Sequence, residues 1–374
     1  MLKRVRFECP ETNLLISTKH RSMSSETIEL QEVMQGYFPW HKARVRFIAA
    51  FIVSLIKLTS VNFTKLANAL NGNVKQKSNY RRIQRFFAHY DLSYECLTGL
   101  ILHLLPIKSD FTVSIDRTNW KLGKFNINIL TAGIIYQGVA FPICWMLLSK
   151  RGNSNTRERI HLMKQVLTRI PKSQIHVVVA DREFIGQEWF AWLDTQHIPF
   201  AIRIKENAIV KSDNKEIPLK KLFQNLQIHQ QTILRKPRRV YGHALYLSAI
   251  RLKDECLIVA SKAQGQWALA AYKKRWGIEV FFANLKSRGF DLEATHLVHE
   301  DRIEKLVALL AIACSWAHIV GEWVAKHHPL KIKTHGHREK SLFRYGLDYL
   351  QYLLLNIQAH RREFKYCLAL LKKL

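Results

Sequence analysis

The chain has 374 residues, 48% of them hydrophobic, which excludes a mainly disordered polymer and leaves room for roughly two or three domains. Its 58 Lys plus Arg stand against 29 Asp plus Glu, a net charge of +29. Such an excess opposes folding through self-repulsion and points to a polyanionic partner, nucleic acid before a ribosome-like or membrane-surface role.

Residues 1–35 are polar and aperiodic and read as a flexible tail, and their charged start lacks the apolar run of a signal peptide. Residues 36–108 read as a helical DNA-binding region. Within it, a short helix at 62–71 (NFTKLANALN), a polar turn with Gly72 and a second helix carrying Arg81, Arg82 and Arg85 have the order of a helix-turn-helix. Two ordinary packed helices with a solvated basic face are the plainer reading. After Pro106 the pattern turns to strands. Residues 111–115 (FTVSI) form a short β-favouring run that ends on Asp116, and runs at 125–136 and 139–148 are joined through Gln137-Gly138 as a hairpin. Ser154 or Thr156 can cap a helix from about 157 to 169, which Pro171 terminates. Residues 175–180 (IHVVVA) are an uninterrupted β-branched run, the mark of a strand covered on both faces, and it too ends on an aspartate, Asp181. A helix at 187–195 and a strand at 200–204 complete the first part of a catalytic core, 109–204.

Residues 205–262 alternate in short stretches, 239–250 and 256–260 among them, and read as a β-rich insertion. A helix bearing Glu279 lies in 263–300, and 301–374 reads as a C-terminal helical region. The most apolar stretches, 47–58 and 306–320, read as buried helices, and no membrane span is expected. Six cysteines are scattered without a Cys-x-x-Cys pair, so neither a zinc site nor a disulfide framework is indicated.

Three acids carry the functional argument. Asp116 and Asp181 end consecutive buried strand patterns, and Glu279 lies on a helix that follows. Strand ends and a covering helix can bring three carboxylates together. Carboxylate oxygens suit Mg²⁺, and two such ions about 4 Å apart promote in-line displacement at phosphorus. Tyr272, Arg275, Glu279 and Lys286 fall within an arc of roughly 60° on an ideal helix, a stripe fit to grip phosphate beside one acidic ligand. Singly, Asp116 could be a turn residue, Asp181 a helix cap and Glu279 a solvated helix residue. Glu183, beside Asp181, offers no equally good alternative set.

The spacing Tyr-x-x-Arg-x-x-x-Glu-x-x-x-x-x-x-Lys over residues 272–286 resembles the signature of DDE transposases of bacterial insertion sequences, in the family named after insertion sequence four. SIDRTNWKLGKFNINIL around Asp116 and VVVADREFIG around Asp181 are similar to its two aspartate motifs. RGNSNTRER at 151–159 and KSLFRYGLDYL at 340–350 are similar to further stretches, so the likeness extends over 114–350. The resemblance implies an α/β fold, an RNase H-like mixed sheet flanked by helices with a β-rich insertion. Asp116, Asp181 and Glu279 would be the catalytic metal ligands for two Mg²⁺, with Mn²⁺ able to substitute, while Tyr272, Arg275 and Lys286 would hold DNA phosphates. The implied reaction is cut-and-paste transposition: cleavage of a transposon end, attack of the freed 3′ hydroxyl through a hairpin, and joining to target DNA. Implied partners are double-stranded DNA, as terminal inverted repeats and target, and a second copy of the chain in a synapsed homodimer, in the bacterial cytoplasm at the nucleoid. Residues 306–320 and the C-terminal helices are candidates for the dimer contact. Relatives stack an aromatic residue on a flipped base, for which Tyr241, Tyr246 and Trp267 are available without a motif to choose between them, whereas Trp276 is expected in the core or as local support. A nuclease or resolvase without strand transfer and a catalytically silent DNA-binding regulator are the alternatives.

Overall fold

The computed structural model describes residues 24–70, 74–212, 215–334 and 336–372. Helix α1 (Ser25–Gln35) buries Leu30 and Met34 against α2 (Lys42–Leu58), which is apolar on every side and buried at each position from 47 to 56. The expectation of a loose tail therefore fails for 25–35. The i, i+4 spacing of Leu30 and Met34 is the apolar stripe that docks the helix; residues 1–23 lie outside the described residues.

Asn62 caps α3 (Phe63–Ala69) by accepting the backbone N–H groups of Thr64 and Lys65. Next come α4 (Gln76–His89) and α5 (Tyr94–Leu104). Both helices of the expected helix-turn-helix pair are present, while the Gly72 turn lies outside the described residues.

The centre of the molecule is a mixed sheet. Strands β1 (Phe111–Leu122), β2 (Phe125–Tyr136) and β3 (Val139–Leu147) form an antiparallel meander, whose second turn at Gln137-Gly138 has positive φ at both residues, as a tight hairpin demands. After α6 (Thr156–Leu167) comes β4 (Ile175–Ala180), parallel to β1, then α7 (Gln187–Thr195) and β5 (Phe200–Ile204), parallel to β4. Two sequence expectations change here. Strand β1 does not stop at Asp116. Its parallel pairing ends at Ile115↔Ala180, but the antiparallel pairing with β2 continues to Leu122↔Phe125, so a polar run unsuited to a covered strand is accommodated in a ribbon. Helix α6 is capped by Asn155, in a reciprocal capping box with Glu158, rather than by Ser154 or Thr156.

The following segment holds β6 (Ile209–Ser212), β7 (Lys215–Pro218), β8 (Gln231–Ile233), β9 (Arg238–Val240), β10 (His243–Arg251) and β11 (Cys256–Ser261). The expected single run 239–250 is split between β9 and β10 by Tyr241-Gly242, both at positive φ. Strand β11 pairs with β5, so this segment extends the central sheet in the order β3-β2-β1-β4-β5-β11-β10-β8, with β9 paired to β10 off this order and β6-β7 standing apart as a separate pair.

Helices α8 (Trp267–Lys274) and α9 (Trp276–Leu285) then cross one face of the sheet. Alternation along β4 separates the two faces: Val177 and Val179 pack with Ala268, Ala271 and Tyr272 of α8, while Val178 and Ala180 enter the main core. The chain closes with α10 (Glu300–His327), α11 (Leu342–Leu355) and α12 (Arg361–Ala369). Helix α10 is long and apolar enough to cross a membrane, but 94% of its apolar window is buried within the molecule, as a core helix is. That burial also removes 306–320 as a surface for a second copy. Helices α10 and α11 cross at Gly321 and Gly346, where a Cβ on Gly346 would lie 1.8 Å from the Ala317 carbonyl oxygen. Ser341 caps α11, so the 340–350 motif builds a helix start and a close helix crossing.

Candidate active site

The strand register sets the site. Ile115 and Ala180 are the last paired residues of adjacent parallel strands, so Asp116 and Asp181 leave them side by side, one strand spacing apart, about 4.8 Å between backbones. Both project to the face covered by α8 and α9. Asp116 is the innermost acid, with its side chain 17% exposed, against 32% for Asp181 and 35% for Glu279.

Arg275 joins them. One guanidinium nitrogen lies 3.0 Å from Asp116 Oδ2, and the other donates to Glu279 Oε1. Tyr272 donates its hydroxyl to Asp181 Oδ1 at 3.3 Å, and Arg203 on β5 approaches the same oxygen at 3.9 Å while pairing with Glu255. All three expected acids, with Tyr272 and Arg275, therefore share one cluster. Burial pushes the Asp116 carboxyl up to about 6, and the negative charges of Asp181 and Glu279 add to the rise, while the Arg117 N–H and the Arg275 charge oppose it. Burial likewise pushes the Tyr272 hydroxyl up to about 12. For Arg275 burial favours loss of the proton, but its neighbours Tyr272, Asp116 and Glu279 outweigh it and hold the guanidinium above its ordinary value.

The 272–286 stripe is not one continuous helix. At Arg275 the backbone bonds tighten to i→i−3, Arg275 N–H to Tyr272 O at 2.9 Å and Ile278 N–H to Arg275 O at 3.0 Å, and the chain divides into α8 and α9. Tyr272 and Arg275 are buried against the acids rather than displayed to solvent. Lys286, past the end of α9, is held elsewhere, by Glu293 at 3.0 Å, the Asn119 carbonyl at 3.3 Å and the face of Trp120. Trp276, expected to be core or local support, is 62% exposed, because the break at Arg275 turns it outward. Arg81 and Arg85 are exposed on α4; Arg82 is half-buried, its guanidinium 5.2 Å from the centre of the Phe47 ring, and none of the three joins the acid cluster. Burial and the nearby charges of Arg46, Arg44 and Arg85 all make Arg82 easier to deprotonate than usual.

Among the described residues, no three acidic, histidine or cysteine side chains stand close enough as placed to enclose a metal ion. The donors nevertheless suit a hard cation. Two of the carboxylates, Asp116 and Glu279, are held by Arg275, whose buried Nε has no hydrogen-bond partner, while Asp181 is held by Tyr272 and approached by Arg203. Sequence reading missed Arg203 and Glu255, which flank Asp181, because their approach depends on β11 joining β5.

The model of the transposase DDE domain family matches residues 112–316, more than half of the chain. The chain belongs to that family. The match spans the strands and helices that carry Asp116, Asp181 and Glu279, and the mixed sheet flanked by helices is the RNase H-like core of this DDE transposase. No curated protein matches the chain. Among solved structures, endonuclease V from Bacillus subtilis is similar at 10% identity, covering 57% of this chain and 91% of that one, with a TM-score of 0.26, a likeness too slight to carry an argument.

Proposed function

We propose that this DDE transposase, of the group named after insertion sequence four, cleaves transposon ends and joins the freed 3′ hydroxyl to target DNA, passing through a hairpin, with Asp116, Asp181 and Glu279 as the ligands of two Mg²⁺ ions that Mn²⁺ can replace. The observation that carries the reading is the meeting of these acids from three separate elements, Asp116 and Glu279 on Arg275 and Asp181 on the neighbouring Tyr272, close enough for Asp181 and Glu279 to act on the Asp116 carboxyl. When bound, the cations supply Lewis acidity to the attacking and leaving oxygens at phosphorus.

The remaining work falls to the protein. Asp116 fixes the inner wall of the site, and Asp181 and Glu279 face the solvent side from which DNA arrives. Tyr272 holds the Asp181 carboxylate in one orientation through its hydroxyl. Arg275 acts as an exchangeable cation: a DNA phosphate takes over its guanidinium, including the orphaned Nε, and Asp116 and Glu279 are released to serve as ligands. Lys286 holds a phosphate further along the groove, and Arg81, Arg82 and Arg85 on α4 add contacts to the duplex. Phosphate contacts of this kind fix position without reading sequence. The partners are transposon ends and target duplex, bridged by a dimer.

The experiment is strand transfer with a pre-cut duplex carrying the terminal repeats that flank the coding sequence, incubated with supercoiled target and Mg²⁺. Covalent joining of the 3′ end is the expected product. Nicking of the target without joining would reduce the protein to a nuclease.

A further inference from the structure

Arg117 follows Asp116 on β1, and successive strand side chains point to opposite faces. While Asp116 meets Arg275, Arg117 turns to the other side of the sheet and enters a separate network. Its Nε lies 3.2 and 3.3 Å from the two Glu183 oxygens, and Nη2 lies 3.2 Å from Glu183 Oε2 and 3.2 Å from Asn153 Oδ1. Nη1 donates to Asn128 Oδ1 at 3.1 Å. Glu183 in turn accepts the Ser154 backbone N–H at 2.8 Å and its hydroxyl at 3.0 Å, and Arg159 donates to the same hydroxyl and to the Ile185 carbonyl.

This ion pair is poorly suited to meeting DNA. Its side chains are 13% and 15% exposed, and the Arg117 donors are taken by protein oxygens. What it does join is specific. It ties β1 to Asn128 of β2, to the 150–155 loop and to the turn at 181–185 that carries Asp181. Beyond Ala180 strand pairing no longer holds that turn, so its placement relative to Asp116 depends on contacts of this kind. The Asp181 carbonyl also accepts the Phe184 N–H at 2.9 Å, making the turn a rigid link between Asp181 and Glu183.

We infer that Arg117 and Glu183 are positioning residues, setting from the far side of the sheet the separation and orientation of Asp116 and Asp181 for cation binding. The inference rests on the reading of those aspartates as metal ligands. Groups that orient metal ligands typically change metal affinity by about 10–100-fold when replaced. Arg117→Lys keeps the charge but loses the planar fork, and Glu183→Gln keeps an acceptor but loses the charge.

The test is Mn²⁺ titration, followed by the electron paramagnetic resonance signal of free Mn²⁺, on the full chain bound to a short duplex, with the duplex-alone titration subtracted. Both variants are expected to weaken Mn²⁺ binding by about tenfold or more while melting within a few degrees of wild type. Asn153→Ala, which removes one acceptor and leaves the ion pair, gives a smaller weakening and decides the matter should the other two fail to fold. Unchanged Mn²⁺ affinity in the folded variants overturns the inference. Asp116→Asn separates the two levels. If it binds Mn²⁺ like wild type, the acid-site reading itself fails; if it loses binding while Glu183→Gln does not, only the positioning role fails.

Discussion

Two arginines near the same strand end, one on each face of the sheet, meet their acidic partners in opposite ways. On the α6 and α7 side, Arg117 has a carboxylate and two amide oxygens, and Glu183 has further donors of its own, so the network is complete. On the α8 and α9 side, Arg275 is shared between Asp116 and Glu279, keeps a buried Nε without a partner, and neighbours a carboxyl raised by burial. A saturated network holds a shape; an incomplete one retains capacity for a ligand. The fold thus keeps its rigidity one residue away from its reactive group.

The largest effect that would break this comparison is on chemistry. Asp116→Asn, Asp181→Asn and Glu279→Gln are each expected to reduce Mg²⁺-dependent nicking of supercoiled plasmid by at least about a thousandfold, since the cations they are proposed to hold would carry most of the transition-state stabilisation. Residual nicking near the wild-type rate in any of them would remove that acid from the site. Next, Arg117→Ala strands Glu183 in a mostly buried setting, and loss of one partner from such a pair costs about 3 kcal/mol. Denaturant unfolding would record it, and a change below the measurement error would show that the network is not the rigid half.

An effect no larger than that, and confined to high pH, distinguishes the faces. The folded Asp116 carboxyl titrates at about 6 against an ordinary 3.8, so its favourable contribution is complete below about pH 4 and is lost as pH rises through 6. Metal-free Asp116→Asn is accordingly expected to exceed wild type in stability by about 3 kcal/mol at pH 8, with the two converging near pH 4. A gap independent of pH would contradict the burial argument. Smallest of all, replacing Arg81 or Arg85 by Ala should leave nicking chemistry intact and lower the slope of log binding constant against log salt by about one per residue; an unchanged slope would take α4 off the DNA surface.

Much of this architecture is legible in the chain because its signals are local. The β-branched run ending at Ala180 is β4, the 187–195 pattern is α7, and 125–136 is β2, since burial on both faces or on one stripe leaves its period in the residues themselves. The convergence of Asp116, Asp181 and Glu279 follows from strand ends and a covering helix. What stayed hidden depends on pairing between distant segments. Strand β1 outlasts its parallel neighbour because β2 continues beside it; β11 reaches Arg203 only by joining β5; and Ser154 suggests a helix cap until Glu183 is seen to claim both its N–H and its hydroxyl. The continuous helical stripe expected at 272–286 is broken for a related reason. Ideal helical geometry does not foresee the tightened turn at Arg275, which buries Tyr272 and Arg275 against the acids and exposes Trp276.

The proposed mechanism requires Arg275 to yield its place among the acids to metal when DNA is bound. Anomalous diffraction from crystals of the protein with duplex DNA and Mn²⁺ measures this directly. Manganese peaks in contact with Asp116, Asp181 and Glu279, with the Arg275 guanidinium moved onto a phosphate, are the predicted result. Manganese located elsewhere, with Arg275 still bridging Asp116 and Glu279 beside bound DNA, would contradict it.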